Sequence, residues 1–256
     1  MKYLDAVTVK QRFCGPPGSG NGGYVSGLLS RYCGDAAEIR LMAPPPLDLE
    51  LEVWQSEDGA VQLRNGEQVI ATGQPAAGLE LEVPSVIPYA EALAASERFI
   101  GHYKHPFPDC FVCGTARLPG DGLRIFPGRD SRHDLVAASW IPDQTLTDDQ
   151  GDIPTEMLWA ALDCTGAYAL DFGPEKVLLL GSFNGKVNHL PKAGEECVVL
   201  GWSLGIDGRK NYAGTALYDS QGRLCGAAKA TWIELKPTHA ETLQRKQGLI
   251  NTPETV

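Results

Sequence analysis

"IPTEMLWAALDCTGAYAL", residues 153–170, is apolar on nearly every side when wound as a helix, yet it carries Asp163 near its middle. A helix on a protein surface shows an apolar stripe and a polar face; one that is apolar all round has to be covered on most sides. A curved antiparallel sheet wrapped around a single helix provides that cover and predicts an α+β unit. Asp152 suits the N-cap of this helix, and Pro154 suits its first turn. The segments around it read as strands: "DLVAASW" (134–140), "VLLLGSF" (177–183), "ECVVLGW" (196–202), "NYAGTALYD" (211–219) and "LCGAAKATWIEL" (224–235). Asp207-Gly208 and Gln221-Gly222 mark tight turns between them.

The same plan occurs earlier in the chain. "GSGNGGYVSGLLSRYCG" (18–34) is a glycine-rich loop running into a helix over 21–33, with Tyr24, Val25, Leu28, Leu29 and Tyr32 at helical spacing and Gly34 as its stop. Strands follow at Ala37–Leu41, "LELEVW" (49–54), "AVQLR" (60–64) and "QVIATG" (68–73), turning at Asp58-Gly59 and Asn65-Gly66. In both halves a proline-containing spacer leads to a strand ending in tryptophan (Trp54, Trp202), with Asp-Gly a few residues on. The expected organisation is a first unit at 1–83, a linker at 84–108 with a helix over 89–100, a second unit at 109–236, and a loosely held tail at 237–256.

Composition narrows the function. A net charge of −10 leaves no basic stripe for phosphates, so no nucleic-acid partner is expected. The first residues lack the apolar run of a signal peptide, and runs such as Val177–Leu180 are far too short to span a bilayer. Seven cysteines, an odd number without a regular framework, predict buried thiols in a reducing, cytoplasmic setting. His102, His105, Cys110 and Cys113 have spacing that could hold a structural zinc, but a single Cys-x2-Cys is a weak signal, and the expectation is no metal and no cofactor. The glycine-rich loop lacks the lysine of a phosphate loop and precedes a meander rather than a βαβ unit, which excludes a dinucleotide site. No Gly-x-Ser-x-Gly elbow supports a serine triad, and His133 and His189 stand isolated. Asp163, set among Trp159, Leu162, Cys164 and Ala167, is expected to have a raised pKa, as functional acids often do.

"NGGYVSGLLSRYCG" followed by "LMAPPPLD" resembles the Gly-Gly helix start and next strand of hotdog-fold acyl-CoA thioesterases. "CFVCG…GDGLRIF" (110–126) resembles the opening of the hotdog domain in phenylacetate-type thioesterases, and "LWAALD" (158–163) the segment bearing the catalytic Asp in tandem acyl-CoA thioesterases. The resemblance covers roughly residues 3–235 and implies a double hotdog acting on acyl-CoA or another acyl thioester. It implies Asp163 as the catalytic carboxylate of one site, activating a water or attacking the thioester carbonyl itself, and facing the helix start of the other unit, where Gly22 and Gly23 would offer N–H groups to the thioester oxygen. Asn21 and Tyr24 beside them, and Trp159 one turn before the acid, would line the substrate site. In the mirror arrangement the acid position falls on Ser30 and the helix start on Pro154-Thr155-Glu156, which looks inactive.

The resemblance also implies a Thr and a Gln that position water. The matching Gln position holds Ala230, with Asn184, Asn188, Lys186 and Thr231 as conceivable substitutes. Arg209 and Lys210, in "GRKNY", follow a hairpin tip and read as a solvated turn or as a grip for coenzyme phosphates, with Arg117, Arg124 and Lys186 as weaker candidates. An acyl-CoA-binding protein without catalysis is the alternative reading. A hydratase is disfavoured because no His/Asp hydratase motif appears. Association into a homo-oligomer through sheet edges is left open.

Overall fold

The computed structural model describes residues 1–130, 134–170 and 176–246, with the side chains of 244–246 left aside. Helix α1 spans Gly22–Ser30, and every residue from Gly23 to Ser30 is buried. Its N-cap is Asn21, whose side chain accepts the Tyr24 N–H over 2.8 Å. The last turn tightens through Tyr32 N–H to Leu29 O and Cys33 N–H to Ser30 O, and Gly34 at φ 91° carries the chain away. The helix is therefore shorter than the expected 21–33.

The single helix expected over 153–170 is two segments, α3 (Thr155–Ala161) and α4 (Asp163–Tyr168), meeting at Leu162. Pro154, not Asp152, occupies the N-cap position, and no side chain caps it. Both segments are almost wholly buried, as the apolar pattern required. α1 packs directly against α3. The close approach depends on two glycines on one face of α1. A β-carbon on Gly27 would stand 2.4 Å from Glu156 Cα, and one on Gly23 would stand 2.5 Å from Asp163 Cβ.

An eleven-stranded antiparallel sheet covers these helices. Its first half comprises β1 (Lys2–Thr8), β2 (Ala36–Leu41), β3 (Glu50–Gln55), β4 (Val61–Asn65) and β5 (Gln68–Pro75). Its second half comprises β6 (Gly128–Arg129), β7 (Val136–Trp140), β8 (Leu178–Val187), β9 (Cys197–Asp207), β10 (Lys210–Tyr218) and β11 (Leu224–Glu234). The order β1-β3-β4-β5-β2-β8-β11-β10-β9-β7-β6 joins the halves at one seam, where Ala36–Arg40 of β2 pair with Ser182–Lys186 of β8. The edge strand β1 has no counterpart in the sequence reading; its mixed, partly exposed residues lack a clean alternation.

Alternation in β3 places Leu51 and Val53 inward, and β4 adds Val61 and Leu63 to the same core. On the opposite face of the second half, α2 (Tyr89–Ser96) packs Ala92 and Ala95 against Ala137, Val198 and Leu200 in a smaller core. The linker helix thus forms, ending a turn before residue 100. The expected loose tail instead begins as a helix, α5 (Pro237–Lys246), with Ala240 buried. No helix among the described residues is long and apolar enough to cross a membrane.

Candidate active site

Asp163 opens α4 immediately after the Leu162 junction, and the N-terminus of α1 meets it there. Its Oδ2 accepts the Gly23 N–H over 3.0 Å and the Asn21 side-chain amide over 2.7 Å. Asn21 therefore does two things at once: its Oδ1 caps α1 and its Nδ2 holds the acid. Asp163 is 2% exposed, and its Oδ1 is buried without a hydrogen-bond partner among the described residues. Burial pushes the carboxyl up to about 7. The Gly23 N–H and Asn21 amide draw it back, and the Cys110 thiol beside it adds to the rise.

A cavity of about 520 Å³ reaches this carboxylate. Asn21, Gly22 and Asp163 line it at one end; Met42, Leu178 and Leu180 contribute apolar wall. His239, Thr242 and Leu243 of α5 close a further side. Residues 239 and 243 lie one turn apart, on the same face of that helix. Two donors in the lining stand without a partner among the described residues. One is the Gly22 N–H, which belongs to the orphan first turn of α1. The other is Trp232 Nε1, on β11. Gly23 differs from the expectation: its N–H is engaged by Asp163 and so positions the acid rather than standing free.

Tyr24 does not line this cavity. It stacks on Phe13, with ring centroids 4.1 Å apart, and meets Phe111 edge-on. Trp159 also points elsewhere. It packs edge-on to Phe183 and lies against Gly185, where a β-carbon would stand 2.8 Å from its ring. Trp159 helps line a second cavity, of about 650 Å³, together with Ser30, Arg31, Thr155 and His189. This is the mirror position. Ser30 Oγ is turned back onto Gly27 O over 2.8 Å, and Glu156 is taken up by a bidentate pair with Arg31. Neither Ser30 nor Glu156 offers a free acid there, while Asp35 and Asp152 also line this cavity.

Arg209 reaches the Glu234 carbonyl over 3.3 Å, one residue from the cavity wall at Leu235, while Lys210 pairs along β10 with Asp207 and Ile233. Neither lines the cavity; Lys176 does, paired with Glu234 at 3.0 Å. Arg117 is committed to Asp121, the Asp109 carbonyl and Cys14, and Arg124 reaches back to the Arg117 carbonyl. The conceivable water partners Asn184, Asn188, Lys186 and Thr231 are absent from the cavity lining; Asn188 borders the second cavity instead.

The four-residue zinc spacing is not assembled either. His102 Nε2 bonds the Ser96 carbonyl at 3.2 Å. His105 is fully engaged: its Nδ1 accepts the Phe107 N–H over 2.9 Å and its Nε2 donates to the Cys113 carbonyl over 3.0 Å. Burial holds its pKa below the ordinary value. Cys110 and Cys113 turn instead toward Cys164, all three buried in the lining of the first cavity. His189 is paired with Asp219 at 3.0 Å, and His133 lies outside the described residues. Trp232 and α5 escaped the sequence reading for a common reason. Each is ordinary core or tail by pattern, and only the folded chain brings it to the cavity beside the acid.

No protein-family profile matches the sequence, and no curated protein does. Solved structures do. The chain is similar to a TesB protein of Mycobacterium avium subspecies paratuberculosis, at 12% identity, over 90% of this chain and 92% of that one, with a TM-score of 0.57. It is similar to a hot dog fold protein from Alicyclobacillus acidocaldarius, at 12% identity, over 91% and 93% of the two chains, with a TM-score of 0.58. It is likewise similar to an acyl-CoA thioesterase II of Mycobacterium marinum, at 12% identity, over 93% and 97%, with a TM-score of 0.57. Identities this low speak to architecture alone, and the architecture they share with this chain is the double hotdog fold.

Proposed function

We propose that the chain hydrolyses an acyl thioester, with acyl-CoA as the substrate class, at the cavity between its two halves. The observation that carries this reading is the buried Asp163 carboxylate, held by Asn21 and Gly23 at the mouth of α1 and opening on a largely apolar cavity. The solved structures of similar fold include an acyl-CoA thioesterase II, which supports the same choice of substrate.

Asp163 acts as general base. Its Oδ1, without a hydrogen-bond partner among the described residues, takes a proton from water as the water oxygen attacks the thioester carbonyl. Negative charge then gathers on the carbonyl oxygen. The Gly22 N–H and Trp232 Nε1–H, without partners among the described residues, are the donors available to receive it, each worth roughly 3 kcal/mol by the usual scale of oxyanion donors. The C–S bond breaks, and the thiolate leaves with the proton returned from Asp163. Leu178, Leu180, Met42 and Leu243 accommodate the acyl chain. Lys176, with Arg209 behind it at Glu234, supplies the positive charge nearest this wall for coenzyme phosphates.

The test is release of free thiol from a panel of acyl-CoAs, measured beside Asp163→Asn. A fall in kcat of about 100-fold or more is expected from loss of a general base. Turnover unchanged by the substitution would remove Asp163 from the mechanism. Tight binding without turnover in either protein would leave an acyl-CoA-binding protein in place of an enzyme.

A further inference from the structure

The mechanism above uses none of three thiols that converge beside it. Cys110 and Cys113 come from the loop that leads into the second half of the sheet; Cys164 follows Asp163 in α4. All are buried, and their Sγ atoms lie within 4.8 Å of one another, with Cys110 and Cys164 3.7 Å apart. We propose that Cys110, Cys113 and Cys164 form a binding site for a thiophilic divalent cation, Zn²⁺, in the wall of the acyl cavity.

Spacing is the first argument. Zinc–sulfur bonds of about 2.3 Å at tetrahedral angles put neighbouring sulfurs roughly 3.8 Å apart. The Cys110–Cys164 separation of 3.7 Å meets that figure, and Cys113 lies within 4.8 Å of both.

The turn is the second argument. Cys-x2-Cys is a common zinc spacing. Here the Gly114 N–H closes the turn on the Cys110 carbonyl at 2.9 Å. A β-carbon on residue 114 would stand 2.3 Å from that carbonyl oxygen. The turn therefore depends on glycine.

The third argument is a donor beside the cluster: the Asn21 side-chain amide lies 4.0 Å from Cys110 Sγ.

Loading replaces three S–H bonds with three Zn–S bonds and releases three protons to solvent; no electron moves. Three thiolates are one ligand short of a closed structural site, so water or another small molecule completes the tetrahedron. His105 is not the missing ligand, since both its nitrogens are engaged. A disulfide explains the cluster less well, because it would leave the third sulfur unused.

The experiment uses the full chain, stripped with a chelator under a non-thiol reductant. It is titrated with Zn²⁺ against a chromophoric chelator and, separately, with Co²⁺. One zinc per chain is expected in the unaltered protein and in Cys33→Ser, whose thiol is buried elsewhere. Binding at least 10-fold weaker is expected in Cys113→Ser and Cys164→Ser. Uptake that is equal in all four proteins, or absent from the unaltered chain, overturns the proposal. Should a variant fail to fold, the cobalt spectrum of the unaltered chain decides. Thiolate-to-cobalt absorption of three-sulfur intensity supports the site, and intensity for one sulfur or none sinks it. None of these readouts depends on hydrolysis, so the metal site and the thioesterase reading stand or fall separately.

Discussion

Gly23 and Asp163 touch backbone to side chain: the Gly23 N–H donates to Asp163 Oδ2 over 3.0 Å, and residue 23 has no room for a β-carbon. That carbon would also stand 2.7 Å from the Trp159 carbonyl oxygen, which is main chain and cannot rotate away. Gly23→Ala is therefore expected to spread α1 from α3 and α4, costing about 1–3 kcal/mol as overpacking does. Thermal unfolding would show the loss of stability, and thiol release a loss of activity larger than that destabilisation explains.

Asn21 joins two jobs that substitution can part. Asn21→Ser keeps an N-cap oxygen but is too short to reach the carboxylate; Asn21→Ala loses both. The alanine variant is expected to be about 1 kcal/mol less stable than the serine variant in denaturant titration. Both lose a donor that lowers the Asp163 pKa, so in both the pH–rate profile moves to higher pH. A profile that moves only in the alanine variant would contradict the role given to the side-chain amide.

Activity and stability should respond to pH in opposite senses. A base works when ionised, so kcat/KM is expected to rise with pH through about 7, measured on chelator-treated protein so that no cation beside Cys164 disturbs the carboxyl. The folded pKa lies above the ordinary 3.8, so the folded state holds its proton more tightly than the unfolded chain does. Stability from this group is thus full below 3.8 and is lost as pH rises toward about 7. Asp163→Asn, which cannot ionise, is expected to be inactive yet more stable than the parent at pH 8. A variant less stable there would argue that the charged acid is structurally required.

Helix α5 supplies His239, Thr242 and Leu243 to the cavity but lies outside the sheet and its two cores. Ending the chain at Lys236 is expected to raise KM several-fold for long acyl chains and to change KM less for short ones. The melting temperature should move little. A large fall in melting temperature would instead make α5 part of the fold.

Much of the architecture was readable because its signals are local. Asp-Gly and Asn-Gly turns, the alternation in "LELEVW" and the all-round apolar helix each report a single element's surroundings. The pairing of Asp163 with the start of α1 was also foreseeable, through the resemblance of both segments to one fold. What could not be read are contacts made by burial alone. Tyr24 and Trp159 have the composition of pocket residues but serve the core, because aromatic rings beside small residues fill whichever gap the sheet leaves. Trp232 belongs to the core, as its pattern suggests, and also lines the cavity, its N–H buried without a partner among the described residues. The break at Leu162 has no proline to announce it; its one trace is the run of weak helix formers from Asp163 to Gly166, set in an otherwise helical pattern.

The seam between β2 and β8 uses up one edge from each half and leaves β1 and β6 at the outer ends. Among the described residues β6 is only two long, so it makes a poor template, whereas β1 offers seven. An edge-to-edge contact between copies of this chain is thus expected to use β1 against β1, a self-matching contact that closes at two.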